Sequence, residues 1–161
     1  MAITTTYLQM LAADELRAAP EVENLVVSEI VAKQFPFNRF LYQLVGGPWQ
    51  WTDKLDWSDA QWRKLVEADQ HRTFVAYRDG AIAGYYELQR DGAAVEILYF
   101  GLAPQFIGQG LGGYLLSHAL RSAWGWPGTQ RVWVHTCDLD HPAALANYQR
   151  RGLKIYQQTT E

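Results

Sequence analysis

The sequence predicts an α/β fold on a mixed, mostly antiparallel sheet whose C-terminal half runs β-α-β-α-β. Three observations carry this. From Thr73 to Ala103 the apolar residues alternate with period two, in segments joined by Asp79-Gly80 and Asp91-Gly92, dipeptides that favour two-residue hairpin turns. After residue 113, helical and strand patterns alternate to the end of the sequence. Between these halves lies QFIGQGLGG, residues 105–113. It puts four glycines at the entrance of an apolar helix, where each costs roughly 1 kcal/mol against alanine.

In chain order, residues 4–11 (TTTYLQML) are β-branched and aromatic and form a first strand. Residues 20–35 place Val22, Leu25, Val26, Glu29 and Ile30 at helical spacing, opened by Pro20 and stopped by Pro36, and predict a helix. A second helical piece spans 38–47, with Asn38 as N-cap and Gly46 as stop. PWQWTDKLDW, 48–57, is irregular and rich in tryptophan. Ser58 and Gln61 then stand in capping-box spacing and start a short helix. Strands follow at 73–78, 81–89 and 93–103, a helix at 114–124, a strand at 131–137, a helix at 142–152 and a strand at 153–158. The one clear parallel crossover contains the glycine segment.

At 161 residues, 48% apolar and 19% charged, the chain is expected to form one folded domain with a buried core. A net charge of −3 argues against nucleic acid or anionic membrane as partners and suits a neutral or cationic acceptor. Cys137 is the single cysteine, so no intrachain disulfide forms and a reducing compartment, the cytoplasm, is expected. No signal peptide and no apolar run of about 18 residues is present to direct the chain into a bilayer. The four histidines show no metal-ligand spacing, and no metal is expected.

The first turn of a helix carries unpaired N–H groups and partial positive charge, so glycines there let a phosphate rest against bare backbone. Gly108, Gly110 and Gly113 formally fit the G-x-G-x-x-G of dinucleotide sites. The context disagrees. APQFI separates strand from glycines, antiparallel strands precede them, and only 48 residues follow Gly113, too few for further βα units. LAPQFIGQGLGGYLL instead resembles motif A of the GCN5-related N-acetyltransferases. Gln105, Gly108 and Gly110 meet its Q/R-x-x-G-x-G/A, and Leu102 to Pro104 match the V-x-P before it. The element order from about Thr73 to Tyr156 is similar as well. The resemblance implies an acetyl-CoA-binding N-acetyltransferase fold: one domain, 1–161, with a seven-stranded sheet splayed at the cofactor. Residues 1–70 would be a variable acceptor-side segment and 71–161 the cofactor-binding core.

It further implies that the loop from Gln105 holds the acetyl-CoA pyrophosphate through the amides of Phe106, Ile107, Gly108, Gln109, Gly110, Leu111, Gly112 and Gly113. Backbone amides around Phe100, Gly101 and Leu102 are expected to align the thioester and polarise its carbonyl. Tyr148, with Ala144 and Gly152, matches the family's N-x-x-A-x-x-x-Y-x-x-x-G-F and takes the place of its general acid toward the CoA sulfur. His141 stands where asparagine is usual and Leu153 where phenylalanine is. His141 is expected at the cofactor, or, beside Asp140 and Pro142, as a helix starter. Glu96, six residues before Leu102, matches the glutamate base of the histone-acetyltransferase branch. A base is needed because a free alkylamine has a pKa of about 10.4.

Hairpin arithmetic adds an expectation independent of the resemblance. Tight loops at Asp79-Gly80 and Asp91-Gly92 would set Arg72 opposite Glu87 and Glu87 opposite Glu96, a row on one sheet face. Adjacent carboxylates raise one pKa toward that of a useful base, and Arg72 opposes this. Glu87 is therefore counted with the acceptor site. His135 and Cys137 share a strand face, which leaves a Cys–His nucleophile open, although a lone strand cysteine more often serves as a small apolar residue.

On the acceptor side the first 70 residues hold Phe35, Phe37, Phe40, Tyr42, Trp49, Trp51, Trp57 and Trp62. Phe40 and Trp62 have helical spacing and belong to a local core. Trp49 and Trp51 alternate in a Pro/Gly-bounded loop near Asp53 and Asp56, an aromatic wall suited to an amine. The expected function is direct acetyl transfer from acetyl-CoA to a primary amine of a small molecule or peptide, with Glu96 or a water chain as base. A homodimer is compatible with this, since many relatives pair. The alternative is a non-catalytic acyl-CoA sensor or interaction module with the same fold.

Overall fold

The computed structural model describes residues 2–49 and 51–161. The period-two segments become β3 (His71–Arg78), β4 (Ala81–Asp91) and β5 (Ala94–Leu102), an antiparallel meander. Asp79 and Gly80 both have positive φ, 51° and 83°, the backbone that a tight hairpin between twisted strands demands. With β1 (Thr4–Met10), β2 (Leu25–Glu29), β6 (Arg131–Cys137) and β7 (Lys154–Thr160) the sheet order is β2-β3-β4-β5-β6-β1-β7. Among the described residues only β5 and β6 pair in parallel. Between them runs α3 (Gly112–Gly125), and α4 (Ala144–Arg150) connects β6 to β7. The mixed sheet and the β-α-β-α-β half are as the sequence predicts. No helix among the described residues is long and apolar enough to cross a membrane.

The helix expected over 20–35 is not there. Leu25–Glu29 is a strand on the outer edge of β3, pairing Leu25 with Arg78 through Glu29 with Phe74. Leu25, Val27 and Glu29 turn inward while Val26 and Ser28 face solvent. The free edge of β3 offers backbone partners, and a β-branched segment takes them. Arg72 secures the edge, its Nε and Nη2 donating to the two carboxylate oxygens of Glu29 at 2.9 and 2.7 Å.

Pro36 likewise starts a helix instead of stopping one. It sits in the first turn of α1 (Phe35–Gly46), where a missing N–H costs nothing. Asn38 is then inside α1, fully buried, its Nδ2 donating to Thr73 Oγ1 at 2.9 Å. The α2 helix (Asp59–Val66) has the predicted capping box, Ser58 Oγ accepting from Gln61 N at 3.2 Å and Gln61 Oε1 from Ser58 N at 2.8 Å.

Two cores hold the sheet. On one face Leu115, Leu116 and Leu120 of α3 pack against Leu8, Leu88 and Val132. On the other, α1 and α2 bring Leu41, Val45 and Trp62 against Val75, Tyr85 and Tyr99. Each such side chain contributes roughly 1.5–3 kcal/mol by leaving water.

The row of Arg72, Glu87 and Glu96 does not form. The second hairpin turns on Gly92 and Ala93, so Asp91 faces Ala94 and Glu96 faces Gln89. One extra residue, Leu98, then shifts the register and puts Tyr99 opposite Glu87. Ala83 is a second extra residue, so Thr73, not Arg72, faces Glu87. Each bulge moves side chains to the opposite face. Glu87 ends fully buried under α1 and α2 beside His71, Oε1 to Nε2 2.6 Å.

Candidate active site

β5 and β6 pair only through Ala94–Arg131, Val95–Val132 and Glu96–Trp133, and then part. The Leu98 bulge adds bend to β5 just beyond that point. The gap opens into a cleft of about 940 Å³, walled by Phe100, Gly101 and Leu102 on one arm and by Val134, His135 and Cys137 on the other. Gly101 owes its lack of a side chain to α1, because a Cβ there would stand 2.5 Å from Val45 Cγ1.

At one end the cleft meets the glycine loop. Ile107, Gly108, Gly110, Leu111, Gly112 and Gly113 line it. Gly108 and Gly110 have φ of 87° and 79°, with nothing within 4 Å of a would-be Cβ. Left-handed backbone, rather than crowding, is why these positions need glycine. Three residues of the expected set fall away from the wall. Phe106 is buried in the core, and Gln105 and Gln109 are exposed, bonded to each other through Gln109 Nε2 and the Gln105 carbonyl at 3.2 Å. The amides of Phe106 and Ile107 are spent in a turn, on the carbonyls of Ala103 and Pro104.

The N-terminus of α3 has no side-chain cap. Arg151, at the end of α4, reaches it: Nη1 lies 3.5 Å from the position a Gly113 Cβ would take, and its buried Nε has no partner among the described residues. A guanidinium beside the positive end of a helix is unfavourable unless an anion sits between them. Arg150 lines the cleft as well. Sequence reasoning missed both arginines. The signal was the QRR just ahead of Gly152, which packing on α3 turns toward the loop; Asn147 Nδ2 ties the two helices by donating to the Gly112 carbonyl at 3.2 Å.

Midway along stands Tyr148, buried against Phe100 with ring centroids 6.2 Å apart. Burial, aided by Asp140, pushes its phenol well up, so the hydroxyl stays protonated and keeps a proton to donate. Glu96 lies at the fork of the strands. Burial pushes its carboxyl up to about 7, with Lys54 pulling the other way. It does not itself line the cleft; its neighbour His135 does, Nε2 to Oε2 3.7 Å.

The far end is aromatic and closely tied. Trp51 Nε1 donates to Asp140 Oδ1 at 3.2 Å, and Asp140 also accepts from Thr136 Oγ1 and the Cys137 amide. Trp49 and Trp51 both line the cleft. Trp49 meets the ring of His141 edge-on at 4.9 Å, while His141 Nδ1 accepts from the Ala143 amide at 3.0 Å. His141 therefore both lines the cleft and starts the α4 turn. Asp53 accepts from the hydroxyls of Tyr42 and Tyr99 at 2.7 and 3.2 Å. Glu87, expected among the acceptor contacts, is closed off beneath this cluster and reaches no part of the wall.

Comparison with solved structures finds the same architecture. A GCN5-related N-acetyltransferase from Kribbella flavida is 16% identical over 98% of this chain and 56% of its own, with a TM-score of 0.69. The IAA acetyltransferase of Bacillus cereus ATCC 14579 is 26% identical over 83% of this chain and 79% of its own, at 0.60. An aminoglycoside acetyltransferase from an uncultured soil metagenomic sample is 18% identical over 80% and 88%, at 0.65. The chain spans 60% of a functionally unknown conserved protein from Staphylococcus epidermidis ATCC 12228 and 56% of the Kribbella flavida protein. No curated protein matches. The sequence model of the acetyltransferase (GNAT) family matches residues 29–153, taking in the meander, the glycine loop and α4. With that match over most of its length, the chain belongs to the acetyltransferase (GNAT) family.

Proposed function

We propose that this protein is an acetyl-CoA-dependent N-acetyltransferase that acylates a primary amine of a small molecule or peptide by direct transfer. One observation carries the reading: a single cleft crosses the splayed sheet, with an anion-attracting helix start at one end and proton-handling side chains midway. The uncapped start of α3, the left-handed Gly108 and Gly110 and the partnerless Nε of Arg151 fit a phosphate-bearing group. Three of the structural relatives carry acetyltransferase names, which supports the reaction class and leaves the acceptor open.

When bound, acetyl-CoA supplies an activated acetyl thioester. Gly112 and Gly113 would hold its pyrophosphate with their amides, helped by Arg151 and Arg150. Phe100 and Leu102, on the arm freed from β6, present backbone to the thioester end and orient it. Tyr148 donates from its hydroxyl to the departing sulfur. Glu96, behind the cleft wall, is where the proton that the amine must lose is held. Trp49 and Trp51 exclude water and seat the acceptor's body.

Thermal melts with acetyl-CoA, free CoA and NAD in parallel test this. Ligand at about 100 times its Kd adds roughly 2.7 kcal/mol, or about 5–11 °C for a chain of this size. The expected result is a shift with both CoA species and none with NAD. Thiol release on adding amines would then separate a transferase from a silent acyl-CoA sensor. No shift with either CoA species would remove the reading.

A further inference from the structure

We propose that His135 takes the proton from the acceptor's amine and that Glu96, behind it, is the proton's next holder; this rests on the transferase reading above. Glu96 is the base the sequence points to, yet only 15% of its side chain is exposed and it is not on the cleft wall. His135 is on the wall, with 48% of its side chain exposed. The fold sets them together. Glu96 is the last residue of β5 to pair with β6, opposite Trp133. His135, two residues further along β6, presents on the same face just past the fork. Its Nε2 lies 3.7 Å from Glu96 Oε2, an ion-pair distance. A small rotation of the half-exposed ring closes it to a hydrogen bond, and catalytic pairs often close only around substrate.

The step balances. A carboxylate at Glu96 favours the imidazole tautomer with hydrogen on Nε2. The lone pair on Nδ1 accepts a proton from the acceptor's ammonium, whose N–H bonding pair becomes the amine lone pair. The Nε2 proton passes to the carboxylate, and the half-exposed ring returns it to water. The second transfer, from ring to carboxylate, is favoured, because burial pushes His135 down against Asp140 and Asp53 while it pushes Glu96 up to about 7 against Lys54. Tyr7 of β1, with its ring centroid 5.6 Å from His135, also faces the pair, and Arg131 and Cys137 share His135's face of β6.

Two measurements test it. The first follows the imidazole resonances of His135 from pH 5 to 9 in the wild type and in Glu96→Gln. A shared proton gives two steps, one near Glu96's value, and the substitution leaves one. A single step unmoved by Glu96→Gln overturns the proposal whatever the fate of the transferase reading. The second compares wild type with His135→Gln for acetyl-CoA affinity by calorimetry and for thiol release, with 2-phenylethylamine and a lysine peptide as probes. Turnover is expected to fall roughly 10²–10⁴-fold with a flattened pH profile, while acetyl-CoA affinity stays the same. Wild-type turnover in His135→Gln overturns the proposal. A wild type that binds no acetyl-CoA, or binds it and acetylates neither probe, overturns the transferase reading and the proposal with it, even where the two-step titration stands.

Discussion

Replacing Glu96 by Gln should make the protein more stable, and increasingly so as pH rises. In the fold its carboxyl is pushed from an ordinary 4.5 to about 7, chiefly by burial. The folded chain therefore holds this proton more tightly than the unfolded chain does. Stability is highest where both states are protonated, below about 4.5, and falls as pH climbs through the interval to 7. At 1.36 kcal/mol per pKa unit the full cost is roughly 3 kcal/mol, and residual contact with water trims it toward 2. Most of that falls between pH 5 and 8. Glutamine keeps the shape and carries no charge to bury. The Tm gap between Glu96→Gln and wild type should thus widen by about 4–8 °C from pH 5 to pH 8. Subtracting one protein from the other at each pH cancels, to first order, the titrating groups not coupled to Glu96. Paired thermal melts at pH 5, 6, 7 and 8 read the gap directly. A gap that stays constant with pH would mean that Glu96 is not held near neutrality by burial, and its role as a base would lose its physical ground.

Arg151→Gln should weaken acetyl-CoA binding about 10- to 100-fold, the worth of one charge-assisted hydrogen bond of about 1.5–3 kcal/mol. Calorimetry with CoA and with dephospho-CoA shows whether the pyrophosphate or the 3′-phosphate is held, since only the latter contact vanishes with dephospho-CoA. Gly110→Ala should cost about 1–2 kcal/mol from its left-handed backbone alone, because no atom stands within 4 Å of the new Cβ; chemical denaturation measures this, and a neutral outcome would mean that the loop relaxes. His71→Leu should cost about 3–5 kcal/mol by leaving Glu87 buried without its partner, visible as a lowered urea midpoint with unchanged m-value.

What the sequence determined by itself was everything set within a few residues. The hairpin at Asp79-Gly80, the capping box of Ser58 and Gln61, and the left-handed glycines ahead of α3 each follow from local backbone and hydrogen-bond chemistry. From these the alternation of elements, and with it the fold class, could be read. Tertiary structure decided the rest. Leu25–Glu29 satisfies helical and strand spacing equally over five residues, and the open edge of β3 made the choice. The bulges at Ala83 and Leu98 broke the expected charge row, because a single inserted residue inverts a strand's faces and leaves no mark in a pattern of alternation. Glu96 was legible as a candidate base, but its pairing with His135 depends on where two strands part, and the turn of Arg151 toward Gly113 on how two helices pack. These contacts join residues tens of positions apart, and no local propensity encodes such a distance.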